Sequence, residues 1–361
     1  MDSLNVRCPL NNLSFGNISL NIIRELYLSN FKINLFPVSN SVDISAFDSI
    51  DNGLKEYIKE SIFNRNKNVR KEYPFLNIWH LNGSEYKISD YNILYTFHEC
   101  SELTEAEKSM CRLYDKIVVS SSYSMDIFRK NSIENCNYAN PGFDPDFKET
   151  GKTYLIDKIH FGIMGKLENR KHTRRIIRLW IDEYGNRPEY QLTCLINNPF
   201  IKKEIMNQEI ALIQNNNNYF NINFLDFLPK NSQVNDYLNS IDIDLGGLSG
   251  AEGWNLPCFN SCALGALPIV LNATAHKDWA DQDNSILLNA NGAEDIYDGK
   301  FFNRGDEFNQ GKIYTFSDED FYQSIEQAIA RVKKSRNESG KLIKNKFTYK
   351  KTLNNILKSV I

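Results

Sequence analysis

The chain has 361 residues, which at about 150 residues per domain points to two domains rather than one core. Hydrophobic residues make up 42% and charged residues 24%, and 18 Gly with 10 Pro are too few for a disordered or collagen-like chain. Lys and Arg number 42 against 45 Asp and Glu, and this net charge of -3 argues against a protein that binds mainly by blanketing phosphates with positive charge. From residue 70 onward, short β-type apolar runs alternate with helical patterns, the signature of parallel sheets covered by helices. In chain order, helices are expected at 17–29 and 52–64, and strands at Phe75 to Leu81 and Asn92 to Phe97. A helix at 104–114, a strand at Lys116 to Ser120, a helix at 122–131 and a weaker strand near Tyr138 follow.

The turn-rich run from Asn140 to Pro145, with the polar Lys148 to Lys152, reads as a domain boundary. Beyond it the alternation restarts, with strands at Ile159 to Met164, Gln191 to Ile196, Asn221 to Phe224, Ile241 to Leu245 and Pro268 to Leu271. Helices near 172–184, 200–214, 231–239 and 256–265 lie between them, and helical patterns at 321–334 and 341–361 end the chain. On the helix after Lys171, Ile176, Ile177, Trp180 and Ile181 share one face, while Arg174, Arg175 and Arg178 read as a solvated one. The fold class is therefore α/β, with two doubly wound, Rossmann-like domains. The first spans 1–152 and the second 153–335, and a C-terminal helix within 336–361 could cross back to the first. Ligands of such sheets bind at the carboxyl ends of the strands, so the cleft between the domains is the expected site.

The N-terminal segment has no signal-like apolar core, and nowhere do 18 apolar residues run together, so a cytoplasmic location without a transmembrane segment is expected. Seven scattered cysteines, an odd number without a Cys-x-x-Cys, suggest reduced thiols rather than a disulfide framework or zinc knuckle.

The densest chemistry lies at 249–270, SGAEGWNLPCFNSCALGALPIV, between an expected strand and a helix with Pro257 in its first turn. The amides of Trp254, Asn255 and Leu256 then occupy the positive end of a helix, suited to phosphate or sugar oxygens. This stretch resembles the signature of the family-four retaining glycosyltransferases of the GT-B fold. Ser249, Glu252, Gly253, Leu256, Pro257, Gly265 and Pro268 match it, and Trp254 stands at a Phe position. Asn255 replaces a Gly, and Asn260 replaces the family's second Glu. The resemblance implies that Glu252 faces the hydroxyls of a donor sugar, and that position 260 lies at the ribose of its nucleotide. An Asn there lacks the charge-assisted bond that a carboxylate makes.

The run from His160 to His172 resembles the family's strand followed by Gly-Arg-Leu and a Lys, with Lys166 at the Arg position and Lys171 at the Lys position. The resemblance makes these the cations that neutralise the donor diphosphate, whose growing charge in the transition state demands them. Leu10 to Asn17 is similar to a glycine-bearing loop that reaches donor and acceptor, which nominates Gly16. Tyr95 to Cys100 ends a strand and nominates His98 as the histidine near the donor sugar. Asp115 to Ser124 and Asn140 to Asp144 match structural passages, and the resemblance covers about residues 8–290.

The implied activity is a retaining, metal-independent transfer of a hexose or related sugar from a nucleotide diphosphate sugar to an acceptor hydroxyl. The catalytic residues would be Glu252, His98, Lys166 and Lys171, and Gly16, Gly253, Trp254, Asn255, Leu256 and Asn260 would bind the donor. No cofactor beyond that co-substrate is implied, and the acceptor could be a glycan, a lipid-linked sugar or modified DNA. The DNA alternative is a phage-type enzyme acting on a hydroxylated base, with Arg170 to Arg178 and the tail from Lys333 to Lys358 facing the phosphates. A third reading is a non-catalytic nucleotide-sugar-binding protein. Asp242-Ile243-Asp244 has a metal-binding form but reads as a strand edge, and His98-Glu99 does not continue to a zinc-protease motif because residue 102 is Glu.

Overall fold

The computed structural model describes residues 3–48, 50–152 and 154–358. Its first sheet contains β1 (Ser3–Leu10), β2 (Lys32–Val42), β3 (Phe75–Ile78), β4 (Asn92–Thr96), β5 (Lys116–Val119) and β6 (Cys136–Tyr138), in the order β2-β1-β3-β4-β5-β6. The second contains β7 (Ile159–Met164), β8 (Tyr190–Leu195), β9 (Ile222–Phe224), β10 (Ile243–Asp244), β11 (Leu267–Leu271) and β12 (Ile286–Leu288), in the order β12-β11-β10-β7-β8-β9. Every pairing in both sheets is parallel.

The first half is covered by α1 (Ser14–Leu28), α2 (Asn52–Phe63), α3 (Arg65–Asn68), α4 (Glu105–Cys111) and α5 (Ser122–Lys130). The second carries α6 (Thr173–Tyr184), α7 (Lys203–Ile213), α8 (Asn231–Ser240), α9 (Leu256–Ala263) and α10 (Asp318–Val332). Ile176, Ile177, Trp180 and Ile181 of α6 enter the core of the second sheet, as their helical spacing requires.

Two strands precede residue 70, where the apolar pattern showed none. β1 is buried but carries Asn5, whose side-chain amide donates to Arg70 O at 2.8 Å and Ser89 Oγ at 3.0 Å. Asn34 of β2 in turn donates to Asn5 Oδ1 at 2.8 Å. A satisfied polar group inside the sheet breaks the hydrophobic run without breaking the strand. β2 sits at the sheet edge, where Pro37 is tolerated because one row of amides needs no partner.

The other departures lie near the C-terminus. An antiparallel hairpin, β13 (Gly292–Asp295) and β14 (Lys312–Thr315), was not expected. Its 296–311 connection reaches the first half of the chain. There Asn309 N donates to Glu107 Oε1 at 3.0 Å, and Lys312 N, just beyond, donates to Ser101 Oγ at 2.9 Å. In place of one helix over 341–361, the described residues form α11 (Glu338–Lys341), α12 (Ile343–Lys346) and α13 (Tyr349–Leu357). Phe347 and Thr348 break the run, and Thr348 caps α13 by accepting from Lys351 N. α13 then buries Tyr349, Leu353 and Ile356 in the core of the first sheet, against α1. Lys116 donates to Ile356 O at 2.9 Å, placing a cation at the negative end of that helix.

Candidate active site

The carboxyl ends of both sheets border one cleft of about 650 Å³. At its centre the loop before α9 carries Glu252, which is buried and forms an ion pair with Lys171. Arg170 Nη1 lies 3.3 Å from the other oxygen of Glu252 and donates to Ala251 O at 2.6 Å. The same guanidinium places Nε 2.9 Å from Glu168 and Nη2 3.6 Å from Glu99, a residue of the first half. Lys166 completes the cluster, 2.9 Å from Glu168, with its ammonium 5.4 Å from the Phe200 ring centroid and 5.6 Å from that of Phe301. Three cations thus meet three carboxylates, and neither lysine expected to face a diphosphate stands without a carboxylate.

Electrostatics follow from this packing. Burial pushes the Glu252 carboxyl up, but Lys171 and Arg170 outweigh it and hold the pKa at about 2. Burial likewise raises Glu168, and Arg170 followed by Lys166 reverses the shift. Arg170 loses hydration too, yet Glu168, Glu252 and Glu99 hold it above the ordinary guanidinium value. Glu252, Glu168 and Arg170 are therefore charged at neutral pH, each held so by its oppositely charged neighbours.

No family model matches the chain, and no curated protein sequence matches it. Solved structures do match. Sucrose-phosphate synthase from Thermosynechococcus elongatus aligns over 98% of this chain and 96% of its own, with a TM-score of 0.67 at 10% identity. A glycosyltransferase from Rickettsia africae ESF-5 covers 99% of both chains with a TM-score of 0.66 at 12% identity. Anabaena Alr3699/HepE in complex with UDP-glucose covers 99% of both with a TM-score of 0.65 at 11% identity. The chain has the GT-B fold.

Lys166, Lys171, Glu252, Gly253, Trp254, Asn255, Leu256 and Asn260 all line the GT-B cleft. Their contacts refine the expected roles. Asn255 has φ +70° at the start of α9, a left-handed conformation that Gly adopts freely and Asn tolerates better than most residues. Its side-chain amide donates to Gly246 O at 2.9 Å and to His276 Nε2 at 3.0 Å, so the side chain holds the loop. The Trp254 indole packs on Phe259 and Phe347 in a buried cluster, which leaves its backbone rather than its ring for a ligand. Gly253 O accepts from Ser120 Oγ at 2.7 Å, tying the loop to the first half. Asn260 Oδ1 lies 3.5 Å from Asp144 N in the linker. Asp144 also lines the cleft, and its carboxyl is pushed up to about 6 by burial and then by Asp146.

Two expected residues are not brought to the cleft. His98 is buried against Phe128, with Nε2 3.0 Å from Glu102 O, and does not line the GT-B site. His80 and Glu99 line it instead. His80 stands just beyond the carboxyl end of β3, which stops at Ile78 rather than at the expected Leu81, so the strand-end criterion that nominated His98 passed it over. Gly16 lies within α1, because that helix begins three residues earlier than expected, and a Cβ there would come within 1.9 Å of Asn11 O. Its bareness lets α1 pack on the preceding loop, while Asn11 to Phe15 line the cleft. Arg170, the hub of the ion cluster, carried no signal beyond being one basic residue in a basic loop.

The basic face read as a phosphate surface is largely committed. Arg170 is buried, Arg174 pairs with Glu209 at 2.8 Å, Arg175 pairs with Asp318 at 2.5 Å, and Arg178 donates to Leu212 O at 3.3 Å. In the tail, Lys341 and Lys344 pair with Glu149 at 3.0 and 2.7 Å. Asp242 pairs with Arg336 at 2.9 Å, and Asp244 is buried with Ser261 and Gly246 N. Among the described residues no His, Cys, Asp and Glu side chains group as a metal site, and no helix is long and apolar enough to cross a membrane.

All five histidines have pKa values below the ordinary imidazole range, with burial the largest cause in each. His276 is held at about 4, and Nδ1 lies 3.1 Å from Leu271 O, which fits a neutral ring with its proton there. The unfolded chain takes up these protons near pH 6.5 and the folded chain does not. Stability is then full above pH 6.5 and declines as the pH falls toward 4, by roughly 3 kcal/mol for His276 alone. Glu252 acts in the same direction at lower pH, between its ordinary 4.5 and about 2. Thermal melts should show a midpoint that is flat above neutrality and falls steadily below pH 6.5. A midpoint that rises on acidification would contradict the neutral state of these rings.

Proposed function

We propose that the chain is a retaining glycosyltransferase that moves a hexose or related sugar from a nucleoside diphosphate sugar to an acceptor hydroxyl. The observation that carries the reading is the convergence of Glu252, Lys171, Arg170 and Lys166 beside the α9 N-terminus, in a cleft between two parallel sheets. That the HepE structure contains UDP-glucose, and a starch synthase IV structure from Arabidopsis thaliana contains ADP and acarbose, supports a nucleotide-sugar donor. Residues 153–335 then form the donor side, residues 1–152 the acceptor side, and the final helix ties the two together. The reaction belongs in the cytoplasm and uses lysines where other enzymes use a metal ion.

In this mechanism the donor diphosphate displaces Glu252 from Lys171 and Glu168 from Lys166. The freed Glu252 carboxylate accepts from sugar hydroxyls, while Arg170 keeps it in position. The bond from the anomeric carbon to the diphosphate oxygen breaks, and the bond to the acceptor oxygen forms on the same face. The acceptor proton passes to the departing diphosphate, so no side-chain nucleophile is required. The first-turn amides of α9 and the two lysines stabilise the charge that develops.

The test is titration and turnover with a panel of nucleoside diphosphate sugars. At least one should bind, hydrolyse slowly without acceptor, and give a product of unchanged anomeric configuration by NMR. Binding of no panel member would end this reading, and binding without turnover across many acceptors would make the chain a sugar-nucleotide receptor.

A further inference from the structure

The two walls of the cleft differ in charge. Lys166, Arg170 and Lys171 all come from the second half, and among the described lining residues the first half contributes no Lys or Arg. Its charged groups there are Glu99 and Asp144, both acids. A cluster of four rings also lines this wall, beside asparagines and apolar residues of the loop before α1 and of α1 itself. Phe15, at the start of α1, has its centroid 4.3 Å from His80, 5.1 Å from Phe97 and 5.9 Å from Trp79. Trp79 and His80 follow the carboxyl end of β3, and Phe97 follows that of β4.

The backbone is shaped to hold this platform. Gly83 adopts φ +81°, and a Cβ there would stand 3.1 Å from Trp79 Nε1, so the turn leaves room for the indole. His80 is exposed to the cleft, and burial by its surroundings lowers its pKa, which leaves the ring uncharged at neutral pH. Asn11 and Asn12 border the rings and supply amides without charge.

We infer that this wall is an acceptor subsite for a neutral saccharide, whose C–H face stacks on Trp79 and Phe15 and whose hydroxyls meet His80 and the asparagines. The inference rests on the opposite wall being the donor site. A sugar presents an apolar face of axial C–H bonds and a rim of hydroxyls, which matches rings bordered by uncharged amides. A nucleic acid or phosphorylated acceptor would instead bring its anions against Glu99 and Asp144 with no cation on that wall to offset them.

Tryptophan fluorescence isolates the subsite. The chain has four tryptophans, and Trp180, Trp254 and Trp279 are 0%, 1% and 3% exposed, leaving Trp79 as the one open to a soluble quencher. Acrylamide quenching is measured with methyl glucoside, methyl galactoside, methyl mannoside, N-acetylglucosamine, cellobiose and maltose. Glycerol 3-phosphate and a duplex containing 5-hydroxymethylcytosine serve as the anionic probes. At least one neutral saccharide should protect Trp79 independently of salt, and Trp79→Phe should remove the signal while circular dichroism shows a folded chain. Phe15→Ala should weaken that saccharide roughly tenfold. Protection by none of the saccharides, or by an anionic probe with a steep salt dependence, overturns the inference. Donor titration is a separate measurement, so failure of the donor reading is distinguishable from failure of the acceptor assignment.

Discussion

Arg170→Ala should destabilise the protein by about 3–5 kcal/mol, the expected loss when one partner of a buried ion cluster is removed. Glu168 and Glu252 lie within 2.9 and 3.3 Å of the guanidinium and are themselves buried, so their charges would lose a main source of compensation. Lys171 and Lys166 remain, but each reaches only one of these carboxylates. Arg170→Lys should recover part of the loss, because a point charge cannot serve three acceptors held around a planar fork. Adding Glu168→Gln to Arg170→Ala should also restore stability, a non-additive result that a double-mutant cycle by urea unfolding would read. The control is Arg174→Ala, whose partly exposed pair with Glu209 should cost no more than about 1 kcal/mol. If the two alanine variants melt alike, Arg170 is not the hub of the cluster.

Lys171→Ala should lower kcat/KM for sugar transfer by roughly a hundred- to a thousandfold, the usual effect of removing one group aimed at developing charge. The lysine has two tasks in the proposed mechanism, pairing Glu252 before the donor arrives and meeting the diphosphate afterwards. Lys171 is the largest influence holding the Glu252 carboxyl at about 2 against burial. Its removal raises that pKa, so the acid limb of the pH–rate profile should move to higher pH. Lys171→Arg should keep the limb near its original position while recovering only part of the rate. A lysine variant with reduced rate and an unmoved acid limb would separate the two tasks and refute the coupling between Lys171 and Glu252.

The local character of the signals explains which parts of this site could be read from residues alone. Glu252, Gly253 and Pro257 belong to one loop and one helix start, and their spacing within a few residues is itself the geometry that matters. Lys166 and Lys171 are similarly fixed by a strand end and the short turn after it. Asn255 was an anomaly in sequence and became intelligible only through its left-handed backbone and its bond to His276. β1 stayed hidden because Asn5 interrupts its apolar run, and the partners that satisfy it lie at Arg70 and Ser89, far along the chain.

Choosing between His98 and His80 shows the same limit. Both follow the ends of neighbouring parallel strands, but the expected strand ran on to Leu81 and hid His80 in its interior. Packing decided between them, because Phe128 and Glu102 O enclose His98 while His80 is open to the cleft. By itself, the sequence determined the tandem parallel α/β architecture, the loop that carries Glu252 and the lysines that accompany it, since each is encoded in periodicity or spacing over a few residues. Only the tertiary structure decided that Arg170 joins three carboxylates, that His80 rather than His98 lines the cleft, and that the described residues of one wall include a cluster of rings but no Lys or Arg. Those facts depend on strand order and on side chains distant in sequence meeting across two sheets, which no local pattern records.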